Sequence, residues 1–231
     1  MVTYNEELKI DFTINHYKSH FSNCKIIIYD NNSSDNTVEI AKNHGCEIIA
    51  YNTDSQVNDD LLTKLKNNCW KNAETDWVLV CDPDELLDIT EKDLINEETN
   101  NVTIIKGTGY NMIDMNDSSD ILLKALQYGV RAIAYDKLFL FNKKHIKEIN
   151  YNHGSHIANP IGNVIFNTNP YKLYHYHYIN INFVFERYQI TAKRMSEINK
   201  KHGWGSYCFS SLEDIKQNFL DLRKLAIKVI E

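Results

Sequence analysis

The chain has 231 residues, 43% of them hydrophobic and 24% charged, which suits one globular domain with a sizeable core. A formal net charge of −6 argues against wholesale binding to nucleic acid or anionic membranes, and no apolar run is long enough to span a bilayer. Five scattered cysteines without a C-x-x-C pair indicate neither a zinc ribbon nor a disulfide framework; with no visible signal peptide, the expected compartment is the cytoplasm.

Residues 1–4 read as the end of a short strand, followed by Asn5-Glu6-Glu7 and a helix to about His20. Residues 24–29 are β-branched and read as a second strand. That strand ends in the turn cluster Asp30-Asn31-Asn32-Ser33-Ser34-Asp35-Asn36-Thr37, in which Asp35 is the expected N-cap of a helix stopping near Gly45. Residues 46–51 make a third strand, and Leu61, Leu62, Leu65, Cys69 and Trp70 fall on one helical face. The apolar run Trp77-Val78-Leu79-Val80-Cys81 then leads straight into Asp82-Pro83-Asp84-Glu85. A short continuous apolar run reads as a strand buried on both faces. Strands alternating with helices predict a parallel sheet with right-handed crossovers, whose ligand loops gather at the carboxyl ends of the strands.

Beyond Asp88 the pattern changes. Residues 102–110 read as a strand containing Gly107 and Gly109; these lack the third glycine and ribose carboxylate of a dinucleotide site and read as a packed or bulged strand. Residues 112–120 form an acidic loop. Residues 132–141 alternate enough to predict a strand with Asp136 and Lys137 at its middle. Residues 150–156 are a polar loop holding His153 and His156. In Leu173-Tyr174-His175-Tyr176-His177-Tyr178-Ile179 the alternation puts His175 and His177 on one side of a strand. Two helices, over 182–199 and 212–230, complete a single domain of residues 1–231, with an amino-terminal nucleotide half over 1–88 and a carboxyl-terminal half over 89–231.

Three carboxylates so close together repel one another unless a cation compensates them, and a hard divalent metal does so while keeping positions open for phosphate oxygens. Asp82 and Asp84 are the candidate ligands; Glu85 reads as the acidic start of a helix. Asp30 either contacts a nucleotide or caps its own turn. Arg187 reads as structural or phosphate-facing, and His202-Gly203-Trp204-Gly205 as a turn between helices.

Taken together, Thr3-Tyr4-Asn5-Glu6, the cluster from Tyr29 to Thr37 and Asp82-Pro83-Asp84-Glu85 resemble glycosyltransferase family 2 and its relatives of GT-A fold. The resemblance is firm over residues 2–87 and extends more weakly through Asp136-Lys137, Gly154-Ser155-His156 and Leu173-Tyr174-His175-Tyr176. It implies an α/β fold with a mixed, mostly parallel central sheet flanked by helices. It implies transfer of a sugar from a nucleotide diphosphate sugar, a UDP-sugar first among them, to a hydroxyl of a glycan, lipid-linked or protein acceptor, usually with inversion. In that reading Tyr4, Asn5, Glu6 and Asp30 lie against the nucleoside, while Lys137 either pairs with Asp136 or touches phosphate. Asp82 and Asp84, completed by His175, hold Mn²⁺ or Mg²⁺ on the diphosphate. The chain departs from the family in its truncated first strand and in lacking a clear Glu-Asp pair, which in many relatives supplies the base.

An inverting transfer needs a base outside the metal shell, on the face opposite the departing diphosphate. Asp114, Asp136 and His156 are the candidates in that order, with Asp117 also available. A phosphohydrolase of haloacid-dehalogenase type also uses Asp-x-Asp after an apolar strand, but there Thr or Val normally follows and the motif lies on the first strand. A nucleotidyltransferase usually opens with a glycine-rich basic loop, and residues 1–11 contain no glycine. A sugar- or nucleotide-binding protein without catalysis is the remaining alternative, and only turnover separates it.

Overall fold

The computed structural model describes residues 1–116 and 121–231. Its first half runs β1 (Val2–Thr3), α1 (Glu7–His20), β2 (Ile27–Asp30), α2 (Thr37–Asn43), β3 (Glu47–Ala50), α3 (Asp59–Asn68), β4 (Trp77–Leu79) and β5 (Glu85–Leu87). Next come α4 (Glu91–Thr99), β6 (Ile104–Ile105), β7 (Gly107–Ile113), β8 (Tyr128–Arg131), β9 (Leu140–Asn142), β10 (Ile146–Glu148), β11 (Ile161–Gly162) and β12 (Tyr171–Tyr178). The chain ends with α5 (Ile181–Arg194), α6 (Glu197–His202), α7 (Leu212–Leu225) and β13 (Ile227–Lys228).

The fold is α/β, as the alternation predicts. β1, β2 and β3 form a parallel sheet, with Thr3 opposite Asp30 and Asp30 opposite Ala50. The parallel pattern stops there. β4 pairs antiparallel with β9, which also pairs antiparallel with β6. A five-stranded sheet of order β13-β8-β7-β12-β5 carries one further parallel pair, β7 with β12, among antiparallel neighbours. The sheets of the described residues are therefore mixed rather than mostly parallel.

One buried cluster joins the halves: Ile10, Ile14 and Tyr17 of α1, Ile28 of β2, Val78 of β4, Phe141 of β9 and Leu173 of β12. Fully burying side chains such as Ile28 or Phe141, both at 0% exposure, contributes about 1.5–3 kcal/mol each. No helix of the described residues is long and apolar enough to cross a membrane.

Several elements differ from expectation for local reasons. Glu85 opens a strand, not a helix: after Pro83 and Asp84 the chain turns, and Glu85–Leu87 pair antiparallel with His175, Tyr174 and Leu173. The helix α4 was not anticipated, although Thr90 and Asp93 form a complete capping box at its start. Asp35 precedes the N-cap position, Asn36, yet its carboxylate accepts from Thr37 N and from Glu7 N. The strand expected over 132–141 is broken: β8 ends at Arg131, a 3-10 turn covers Ile133–Tyr135, and only Leu140 and Phe141 join a ladder. That turn folds onto Gly109, where an added Cβ would lie 2.4 Å from Tyr135 Cβ. Gly109 is thus a point of close backbone approach, and Asp136 lies outside any strand. Met112 and Ile113, expected in a loop, close β7. The helix expected over 182–199 breaks at Met195, and the last helix ends at Leu225 before β13.

Candidate active site

The turn Asp82-Pro83-Asp84-Glu85 lies between β4 and β5, and each of its three carboxylates has its own lysine. Asp82 sits 2.7 Å from Lys66 of α3, Asp84 sits 3.0 Å from Lys9 of α1, and Glu85 pairs with Lys137. All three ammonium groups are buried. A buried ammonium without a counter-charge is costly, so each pairing fixes a carboxylate in place. Burial opposes ionisation of Asp82 and Asp84, but the lysines outweigh it and hold both carboxyls below the usual range. Burial likewise works against the Lys9 and Lys66 charges, and Asp84 with Glu6, and Asp82, raise those pKa values above the ordinary lysine value.

β12 brings two imidazoles to the same turn. His175 and His177 stack at 5.3 Å between ring centroids, on the shared side that strand alternation predicts. His175 Nε2 lies 3.9 Å from Asp84 Oδ2, and the ligand atoms of Asp84, His175 and His177 all fall within 4.8 Å of one another. Asn111 Oδ1 lies 2.8 Å from His175 Nδ1. An amide oxygen accepts only, so the Nδ1 proton points to Asn111 and the Nε2 lone pair faces Asp84. Burial lowers the pKa of both histidines, His177 to about 4, which keeps them neutral. His177 Nε2 is bonded to Tyr188 Oη at 2.9 Å, leaving Nδ1 for a ligand. One carboxylate and two neutral imidazoles fit a divalent cation of the Mn²⁺ class better than Mg²⁺, which prefers an all-oxygen shell.

The other candidate residues divide between this cluster and separate roles. Asp30 accepts from Thr3 Oγ1 at 3.1 Å, from Ser33 Oγ at 2.6 Å and from Ser33 N at 3.0 Å, so it braces its own turn at the rim of the parallel sheet. Asn5, at φ 52°, accepts from Ser34 N on the same rim. The Tyr4 ring is covered by the Arg194 guanidinium, 3.1 Å from its centroid, while Glu6 pairs with both Lys9 and Arg187. Lys137, read as a phosphate contact, is closed against Glu85.

Among the base candidates, Asp136 accepts from Gly109 N at 3.0 Å and pairs with Arg131 at 2.7 Å. Asp114 is buried and accepts from Asn116 N. His156 is exposed, and its ring meets Tyr135 edge-on at 4.9 Å; Tyr135 in turn stacks on His175 at 3.8 Å. Asp117 lies outside the described residues.

Lys9, Lys66 and Arg187 reach the site from distant helices. Their signal is periodicity: Lys66 stands four residues from both Leu62 and Trp70 on the inward stripe of α3, and Lys9 stands next to Ile10 on α1, four residues before Thr13. A lysine on an apolar stripe needs a buried acid, and the nearest acidic cluster is Asp82–Glu85.

The sequence model of the family described as Glycosyl transferase family 2 matches residues 1–210. No curated protein matches the chain. Among solved structures, S. aureus TarS 1-349 in complex with UDP is 18% identical, with a TM-score of 0.45 over 95% of this chain and 69% of that one. S. aureus TarS over a longer chain is 17% identical, with a TM-score of 0.43; the match covers 95% of this chain and 42% of that one. TarS 1-349 in complex with UDP-GlcNAc is 16% identical, with a TM-score of 0.41 over 95% and 70% of the two chains.

Proposed function

We propose that this chain, which belongs to glycosyl transferase family 2, moves a sugar from a nucleoside diphosphate sugar to an acceptor hydroxyl, with a divalent cation and with inversion. The observation that carries the reading is the convergence of Asp84, His175 and His177 on the turn that follows β4, with Lys9 tying Asp84 to Glu6 and Arg187 tying Glu6 to the Tyr4 and Asn5 carbonyls. Residues 1–88 supply the nucleoside side and the acidic turn. Residues 89–231 supply the histidines and the acceptor side.

A bound cation at Asp84, His175 and His177 supplies Lewis-acid neutralisation of the leaving diphosphate. The chain's own residues do the rest. Asn111 orients His175, and Tyr188 orients His177. Asp82 holds Lys66 and stands next to the cluster as a supporting charge. Asp30 keeps acceptor capacity on Oδ2, which the turn engages only through Ser33 N.

For the base we favour His156 over Asp114 and Asp136. Its Nδ1 lies 2.9 Å from the Ala134 carbonyl, which can only accept, so the proton sits on Nδ1 and Nε2 is left as a basic lone pair. Gly154 makes room for this ring: an added Cβ there would lie 2.9 Å from His156 Cδ2. Asp136 is spent on Arg131 and the Gly109 amide.

The test is calorimetry with UDP in Mn²⁺ and in EDTA, followed by product formation from a panel of nucleotide sugars with NMR of the product anomer. Binding that needs Mn²⁺ and a product of inverted configuration support the reading. Equal UDP binding in EDTA removes the metal role. Turnover retained in His156→Gln moves the base elsewhere.

A further inference from the structure

A cavity of about 150 Å³ opens beside Asp84, between α1, β12, α5 and the turn at 206–209. Lys9, His177, Arg187, Thr191 and Tyr207 line it together with Asp84. Its lining carries two cations, Lys9 and Arg187, and one carboxylate, Asp84; a second carboxylate, Glu6, stands outside the lining and pairs with both cations. Lys9 lies 3.0 Å from Asp84 and 3.1 Å from Glu6, and Arg187 pairs with Glu6. These four charges cancel. A divalent cation held by Asp84, His175 and His177 would leave the cavity two positive charges in excess, and the diphosphate of a nucleotide sugar carries two negative charges. The opposite flank of the acidic turn has no such surplus, because Lys66 is matched by Asp82 and Lys137 by Glu85.

Donor capacity points the same way. Arg187 donates through Nη1 to Tyr4 O and Asn5 O and through Nη2 to Glu6, which leaves Nε–H and one Nη2 hydrogen for phosphate oxygens. Lys9 donates to Asp84 and lies 3.1 Å from Glu6 Oε2 without a hydrogen bond to it, so donors remain for a phosphate oxygen.

We infer that the donor's diphosphate lodges in this cavity, held by Lys9 and Arg187, and not over Lys66 and Lys137. The inference rests on the nucleotide-sugar reading above and assigns the face of Asp84 that the phosphates occupy. Arg187 is also a positioning residue for the Tyr4–Glu6 turn, so the test must separate the two roles.

Uridine and UDP are titrated with Mn²⁺ present into the wild type, Arg187→Gln and Arg187→Lys. Arg187→Gln should weaken UDP at least tenfold more than it weakens uridine, and Arg187→Lys should recover a good part of that difference. In the wild type, hydrogen exchange should show UDP protecting 183–191 and 206–209 more than uridine does; this readout needs no variant to fold. Equal losses for uridine and UDP, or UDP protection centred on 59–68, overturn the inference and leave nucleotide binding standing. If the wild type binds neither ligand, the nucleotide reading falls and this inference falls with it.

Discussion

The two flanks of the acidic turn are built from the same residue types and do different work. On one flank Glu85 meets Lys137 with both side chains at 3% exposure, and Asp82, itself 30% exposed, meets Lys66, whose side chain is 2% exposed. On the other, Asp84 at 18% exposure shares Lys9 with Glu6, faces two neutral histidines and borders a cavity. Glu85, closed one-to-one against the buried Lys137 ammonium, belongs to the scaffold, and Asp82 anchors the buried Lys66 while keeping an exposed edge. A carboxylate whose neighbours include unprotonated imidazoles and open space is available to a ligand. The lesson is that adjacent acids in one short motif take their roles from the helix or strand facing each of them.

The largest expected effect comes from breaking the closed flank. Lys137→Met leaves Glu85 buried without its counter-charge and should cost about 3–5 kcal/mol, read by urea denaturation. The double variant Lys137→Met/Glu85→Gln should recover much of the loss, because no uncompensated charge remains. A single variant within about 1 kcal/mol of wild type, near the value of an exposed pair, would show that this flank is not closed.

The next effect separates Asp82 from Asp84. Asp84→Asn should weaken Mn²⁺, measured by its EPR signal, about a hundredfold, near 2.7 kcal/mol. Asp82→Asn should lose stability by stranding Lys66 and keep most of its Mn²⁺ affinity. Equal losses of Mn²⁺ in both variants would restore the two-aspartate site that the motif alone suggests. A smaller change is expected at Asn111, which touches only the far nitrogen of His175. Asn111→Leu should weaken Mn²⁺ by about 10–100-fold, the usual range for a residue that orients a ligand.

Much of the amino-terminal half was legible in the sequence because its cues are local. Ile27–Asp30 and Glu47–Ala50 are short apolar runs closed by turn residues, and α1, α2 and α3 alternate with β1 to β4 as the pattern requires. The shared side of His175 and His177 follows from strand periodicity alone. What was not legible depends on contacts between residues far apart in the chain. The expected strand over 132–141 fails because Gly109, some twenty-five residues earlier, admits Tyr135 against its backbone. Glu85 looked like a helix start because its partner strand lies ninety residues later, at His175. Lys9 meets Asp84 across seventy-five residues, so no local pattern could pair them.

The smallest effect is an acid limb of stability that belongs to the closed flank. His16 of α1 bonds the Leu87 carbonyl at 2.9 Å through Nε2, at the end of the β5 strand that Glu85 begins. Burial, aided by the neighbouring His20, lowers its pKa from 6.5 to about 4. A histidine whose folded pKa lies below its unfolded value contributes stability that is fully present above the unfolded pKa, near pH 6.5. That contribution is lost as the pH falls towards 4, because the unfolded chain takes up the proton first. Nearby Asp88 does not cancel this: its carboxyl is held below the usual range chiefly by the His20 imidazole 3.7 Å away, so it loses its own contribution only at lower pH. His20, raised above 6.5 mainly by the same Asp88, gives the opposite slope: its contribution is complete below 6.5 and fades above it. Between pH 6.5 and 4 the wild type should therefore lose about 1 kcal/mol through His16, with solvent screening taken into account. His16→Gln keeps an amide donor for Leu87 O and removes the titration, so its stability should change less across that window. The measurement is the urea midpoint of both proteins at pH 6.5, 5.5 and 4.5; parallel curves would show that His16 is not buried in its neutral form.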